Sequence, residues 1–217
     1  MKLIALPDLH AQTRTLERMG ALLAEVDYVL LAGDLTNGSL NDARQLVGLV
    51  QEYNPNVLAV PGNMDNRPIL AYLEQTGINL HAQGCEIDGV AFAGVGGSLP
   101  FAGSFVFEED ELAGLLAASV HDLPPEKPLV LVCHQPPIST ANDRLDNGQH
   151  VGSKAVRTFI EAHQPMVCFT GHVHEGHGID RIGDTQIINP GPLWRGDQYA
   201  YAEINGGQVT RLEIRKI

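Results

Sequence analysis

Residues 1–10 read Met1-Lys2-Leu3-Ile4-Ala5-Leu6-Pro7-Asp8-Leu9-His10. An apolar run of strand length, Leu3–Leu6, is closed by an acid and an imidazole two residues apart. The arrangement recurs along the chain. Tyr28–Ala32 is followed by Gly33-Asp34, and Val57–Val60 by Gly62-Asn63. Leu129–Cys133 is followed by His134, and Met166–Phe169 by Gly171-His172-Val173-His174. Short apolar runs bounded by turn residues suit strands buried on both faces. Each pair alone is ordinary, because Gly-Asp and Gly-Asn are turn formers and paired histidines occur on surfaces. Five such strand ends in one order are a different matter.

Between these runs the first third alternates strand and helix. A helix is expected near Thr13–Glu25, with Leu16, Leu22, Leu23 and Val26 near helical spacing. Ser39-x-x-Asp42 reads as a capping box opening a helix to about Glu52. A third helix is expected after Asn66, with Pro68 in its first turn and Gly77 at its end. This βαβαβ rhythm implies parallel strands joined by right-handed crossovers. Asp88-Gly89, Gly183-Asp184 and Asn205-Gly206-Gly207 mark hairpins. Glu108–Val120 reads as a helix with acids in its first turn, and Ser153 as the cap of another ending near His163. Residues 135–152 read as a long polar loop of the kind that borders binding sites. The pattern suggests an α/β (α+β) fold: two packed sheets with helices outside, residues 1–217 folding as one domain.

The bulk numbers narrow the function. A chain of 217 residues with 44% hydrophobic content can bury a real core. The net charge of −12 argues against an extended nucleic-acid surface, because that affinity comes from Lys and Arg neutralising phosphates. It leaves room for a small anionic substrate held by metal ions, whose charge dominates locally. Cys85, Cys133 and Cys168 are odd in number and widely spaced, as reduced thiols are. No apolar run is long enough to span a bilayer. The reading is a cytoplasmic protein with no membrane partner. A homo-oligomer is compatible with the sequence.

The donors point to metal chemistry. Imidazole and carboxylate suit Mn, Zn, Fe or Ni, and the Asn63 amide oxygen suits a hard or borderline ion. Residues two apart in an extended segment point the same way. Asp8 with His10, and His172 with His174, are therefore each expected to form a local chelating pair. Asp34 could bridge two ions, one through each oxygen. Gathering Asp8 and Asp34 without cations would cost several kcal/mol in repulsion at an effective dielectric near ~20.

The order Asp8-x-His10, Gly33-Asp34, Gly62-Asn63, His134 and Gly171-His172-x-His174 resembles the calcineurin-like metallophosphoesterase superfamily. More narrowly, the chain is similar to small phosphoesterases related to Icc. The shared motifs are Gly62-Asn63-Met64-Asp65, Cys133-His134-Gln135-Pro136-Pro137, His150-Val151-Gly152-Ser153, Gly171-His172-Val173-His174-Glu175 and Asn189-Pro190-Gly191-Pro192. The resemblance implies a four-layer fold, two mixed β-sheets packed as a sandwich and flanked by helices. It implies a first divalent ion on Asp8, His10, His174 and Asp34. It implies a second on Asp34, Asn63, His134 and His172, with Mn the favoured metal. It further implies phosphate-ester hydrolysis by a hydroxide held between the ions.

The chain departs from this pattern at Met64, where many members carry a His that serves as acid. Methionine donates no proton, and general acid catalysis is typically worth about 10²–10⁴-fold. A small phosphodiester is therefore the expected substrate ahead of a monoester. His150 is the candidate substitute acid and a candidate substrate contact, together with Arg144. Asp65 is expected to act locally, bonding backbone or a group that supports one of the donors, and Asn189-Pro190-Gly191 to shape a turn near the donors. His81, His121 and His163 are expected to be structural or superficial. Two rival readings are a metal-binding or protein-interaction module of the same fold with little catalysis, and a nuclease for short nucleic acid. The first should have lost donors, yet every position is filled. The second conflicts with the acidic charge.

Overall fold

The structure, a computed structural model, describes residues 1–217. Strands β1 (Lys2–Leu6), β2 (Tyr28–Ala32) and β3 (Val57–Val60) run parallel. The C-terminal hairpin β10 (Gln198–Asn205) and β11 (Gln208–Lys216) adds antiparallel to β1. The first sheet thus has the order β11-β10-β1-β2-β3. The second contains β4 (Gln83–Ile87), β5 (Val90–Val95), β6 (Leu129–Cys133), β7 (Val167–Phe169), β8 (Gly178–Ile182) and β9 (Thr185–Asn189). Its order is β4-β5-β6-β7-β9-β8, with parallel centre strands and antiparallel edges.

Side-chain alternation explains the layers. Leu3 and Ala5 of β1 face the second sheet, where they join Leu30, Val60, Phe92, Val130, Val132, Phe169 and Ile188. Ile4 and Leu6 face the other way, onto Leu16, Leu46, Val47, Val50 and Leu73. These belong to α1 (Thr13–Arg18), α3 (Leu40–Tyr53) and α4 (Arg67–Gln75). On the far side, Val95, Leu131 and Cys168 meet Leu112, Leu116, Val156 and Ile160. Those come from α5 (Glu109–Val120) and α6 (Lys154–His163). The result is two mixed sheets packed face to face with helices outside. Because both faces are covered, the central strands are apolar throughout.

The caps agree with the sequence. Ser39 accepts from Asp42 N at 3.3 Å, Asn66 from Ile69 N at 3.1 Å, and Ser153 from Val156 N at 3.2 Å. One helix differs. The segment expected as one helix over Thr13–Glu25 breaks at Met19 into α1 and α2 (Gly20–Ala24). A Cβ at Gly20 would collide with the Tyr53 ring. Close approach to α3 therefore demands glycine there, and glycine weakens helix continuity. The long loop is also more ordered than its polarity suggests. It carries a 3-10 turn at Ala141–Asp143 and single bridges Pro137–Ser153 and Arg144–His150. No helix is long and apolar enough to cross a membrane.

Candidate metal centre

The strands β1, β2, β3, β6 and β7 deliver their following residues to one end of the sandwich. Donor atoms of Asp8, His10 and His174 lie within 4.8 Å of one another, as do those of Asp8, Asp34 and His134. His134 Nε2 is 3.5 Å from Asp34 Oδ1, and His10 Nε2 is 3.8 Å from Asp34 Oδ2. His174 Nε2 is 3.6 Å from Asp8 Oδ1. Asn63 Oδ1 stands 3.1 Å from His134 Nε2. The His172 ring is 5.3 Å from that of His134, and its backbone N–H donates to Asp8.

The local-pair expectation holds for Asp8 with His10, whose donor atoms share one group, and needs correcting for His172 with His174. Asp8, His10, Asp34 and His172 have φ of 53°, 45°, 48° and 65°. These are left-handed turn conformations, costly for residues with a Cβ and held by their surroundings. The donor segments are therefore not extended. His172 and His174 consequently part company: His174 joins Asp8 and His10, and His172 lies against His134.

The glycines before the donors have a packing role that turn chemistry does not convey. A Cβ on Gly33 would collide with the His134 ring. One on Gly62 would collide with the amide and carboxylate of Asp34, and one on Gly171 with Pro7 and the Asp8 carboxylate. Each donor-bearing loop thus leaves space that a donor from another loop fills.

Hydrogen bonds then aim the side chains. His134 Nδ1 donates to Ala32 O at 2.8 Å, and His10 Nδ1 to Asn37 Oδ1 at 2.8 Å. Both rings therefore turn Nε2 toward the cluster, the orientation that metal-binding histidines adopt. Asn63 Nδ2 donates to Ala102 O, which turns Oδ1 inward. Met64 N donates to Asp34 Oδ1 at 2.7 Å. Buried Asp65 accepts from Leu35 N, Thr36 N, Thr36 Oγ1 and Gly62 N, tying the loops after β2 and β3 together. Asn189 Nδ2 donates to Val173 O and its Oδ1 accepts from Gly191 N, which fixes the turn beside His172 and His174.

The charges respond to this crowding. Burial raises the Asp65 carboxyl to about 6, and the Asp34 charge adds to it. Burial also acts to raise Asp34, but His134 and the Met64 amide outweigh it and leave the carboxyl below its usual range. For His134, burial acts to lower the ring and the attraction of Asp34 prevails, lifting it to about 9. Burial, with His134 adjacent, depresses His172 to about 4. The bond to Asp8 raises His174.

The remaining sequence candidates lie outside this cluster of contacts. His150 Nδ1 bonds the buried Asp143 carboxylate at 2.6 Å, which also accepts from Ser139 N, Thr140 N and Gly152 N. Its ring is 40% exposed. Arg144 is exposed, near Gly148 of its own loop. His81 is buried and structural, its Nδ1 accepting from Gly96 N at 2.9 Å. Asn37, in the bend before the Ser39 cap, is the partner of His10. Trp194, which no pattern singled out, meets the His174 ring edge-on at 6.2 Å. A cleft of about 280 Å³ adjoins His174 and is lined by Asp146, Glu175, His177 and Arg195 among others.

Comparison with known proteins agrees with this geometry. The sequence pattern of the Metallophos family, calcineurin-like phosphoesterases, matches residues 1–176. The uncharacterized protein MJ1162 of Methanocaldococcus jannaschii is 33% identical over 199 residues, covering 88% of each chain. The crystal structure of TT1561 of Thermus thermophilus superposes with a TM-score of 0.78 at 19% identity, covering 99% of this chain and 98% of that one. A hypothetical protein from the same organism gives 0.63 at 12% identity, covering 99% and 98%. These two show a shared fold. The family pattern spans most of the sequence, and a relative one-third identical runs along nearly all of it: the chain belongs to the calcineurin-like phosphoesterase family.

Proposed function

We propose that the chain is a metal-dependent hydrolase of a small phosphodiester. In this reading Asp8, His10 and His174 hold one divalent ion and Asn63, His134 and His172 a second, with Asp34 shared. One observation carries it. His134 is fully buried, its Nδ1 is committed to a carbonyl, and its Nε2 faces only the oxygens of Asn63 and Asp34. Three donor-type atoms converge on one point, where a cation would engage all three at once; without one, the raised His134 ring carries a proton there. Asp8 and Asp34, with oxygens within 4.8 Å, would otherwise repel by about 3–4 kcal/mol at an effective dielectric near 20. The donor set fits two cations, and mixed N and O ligands favour Mn over a thiolate-loving metal.

Such ions, when bound, polarise phosphoryl oxygens and make water a nucleophile near neutral pH. The chain's own residues do the rest. Asn37 and the Ala32 carbonyl hold the His10 and His134 tautomers. Asp65 keeps the loops after β2 and β3 in register. Met64 supplies a backbone N–H to Asp34 and no side-chain proton. The candidate acid is His150, oriented by Asp143 through Nδ1. Activated diesters, which need less protonation of the leaving oxygen, are the preferred substrates. The net charge of −12 favours a small ester over a nucleic acid, and the free cysteines suit a cytoplasmic setting.

The test is elemental analysis of purified protein, followed by turnover of bis-p-nitrophenyl phosphate and p-nitrophenyl phosphate with added Mn²⁺. Bound metal and a higher kcat/KM for the diester are expected. Clear preference for the monoester would refute the substrate assignment. A metal-free, inactive protein would leave a protein-interaction module as the better reading.

A further inference from the structure

Three large apolar side chains stand exposed: Phe101, Ile179 and Trp194. Of these, Trp194 alone abuts a member of the donor cluster. Its ring meets that of His174 edge-on, with centroids 6.2 Å apart and planes at 78°. It is nevertheless 47% exposed. The short helix α7 (Leu193–Gly196) holds it there. Leu193 is fully buried beneath it, Arg195 N donates to Pro192 O at 3.1 Å and Asp197 N to Leu193 O at 2.9 Å. The Asn189–Gly191 turn anchors the same segment to Val173. A rigid aromatic face is thus fixed beside the point where, on the reading above, phosphate is bound.

We infer that the natural substrate carries an aromatic ring on its phosphodiester, and that Trp194 recognises this ring by stacking. This rests on the phosphoesterase assignment and adds a substrate class to it. The alternative of a second phosphate fits the surroundings poorly. The cleft next to His174 sets the carboxylates Asp146 and Glu175 against the single guanidinium of Arg195. An aromatic face accepts any planar ring, and one stacked ring on a tryptophan strengthens binding by about tenfold or more.

Three diesters sharing the non-aromatic hexafluoroisopropoxide leaving group, whose release is read by its fluorine resonance, separate the possibilities: methyl, benzyl and thymidine-5′. With Mn²⁺-loaded protein, kcat/KM for a ring-bearing diester should exceed that for the methyl diester by about tenfold. The benzyl and thymidine arms tell an aryl ring from a nucleobase. Trp194→Ala should bring the ratio near one, and Trp194→Phe should keep most of it. Trp194 is the sole tryptophan, so its emission also reports occupancy without turnover. Methyl phenyl phosphate should quench it at concentrations where dimethyl phosphate does not. A ratio near one in the wild type, a ratio that survives Trp194→Ala, or unquenched emission each overturns the inference. Turnover of the methyl diester without ring preference removes this inference alone. No turnover of any diester by fully metallated protein removes the phosphoesterase reading with it.

Discussion

The two halves of the donor cluster are built by different means. Around Asp34, Asn63 and His134 the fixing groups are backbone: the Ala32 and Ala102 carbonyls, the Met64 amide, and the missing Cβ atoms of Gly33 and Gly62. These donors are 0–4% exposed. Around His10 and His174 the fixing groups are side chains, Asn37 and Trp194, and the rings are 16% and 29% exposed. The buried half cannot be altered without altering the fold. The open half can be adjusted one side chain at a time.

The sharpest way to break this contrast is at the shared carboxylate. Asp34→Asn keeps an oxygen for the Met64 amide but loses the charge. Metal content and activity should fall together, the latter by about 10³-fold or more, beyond the usual loss for one charge-stabilising group. Plasma emission analysis beside a bis-p-nitrophenyl phosphate assay reads both. A fully metallated, active variant would remove Asp34 from the centre.

Acid should strike the buried half first. His81 holds Gly96 through Nδ1, and the next residue, Gly97, donates to Pro61 O just before Gly62. Burial lowers His81 from 6.5 to about 4. The unfolded chain therefore binds the extra proton over this window. Its contribution, on the order of 3 kcal/mol, is present above pH 6.5 and is lost as pH falls towards 4. Denaturation midpoints measured across that range should drop, and His81→Asn, which offers an acceptor without titrating, should flatten the dependence. Equal slopes for the two proteins would exclude His81 as the cause.

The smallest effect is expected on the open side. Asn37→Ala frees the His10 ring but leaves every donor in place. Losing such an orienting partner typically weakens metal affinity by about 10–100-fold. Titration with Mn²⁺ should show one weakened site while the thermal midpoint barely moves. If the midpoint falls as far as the affinity, the open half is as embedded as the buried one and the contrast fails.

The same division governs what could be read in the sequence. The strands were legible because burial on both faces leaves runs such as Tyr28–Ala32 and Leu129–Cys133 without polar interruption. The donors were legible from their order at the strand ends. The break at Met19 was not, since its cause is the ring of Tyr53, 33 positions beyond Gly20. Nor were the left-handed conformations at Asp8 and His172, which tertiary contacts impose against local preference. Asn37 stood out in no motif because its partner, His10, lies on a different loop. Trp194 belonged to no period or motif, and only folding brings it to His174.

The glycines at 33, 62 and 171 bind the centre's future to its present. Each is coupled sterically to a donor on another loop, so the six positions form three interlocked couples. The Gly62 couple involves the Asp34 backbone amide as well as its carboxylate, so truncating Asp34 would relieve only part of the clash and Gly62→Ala would stay costly in that background. A descendant that lost these donors would therefore keep its glycines longer, and the retained glycines would record where donors had once stood.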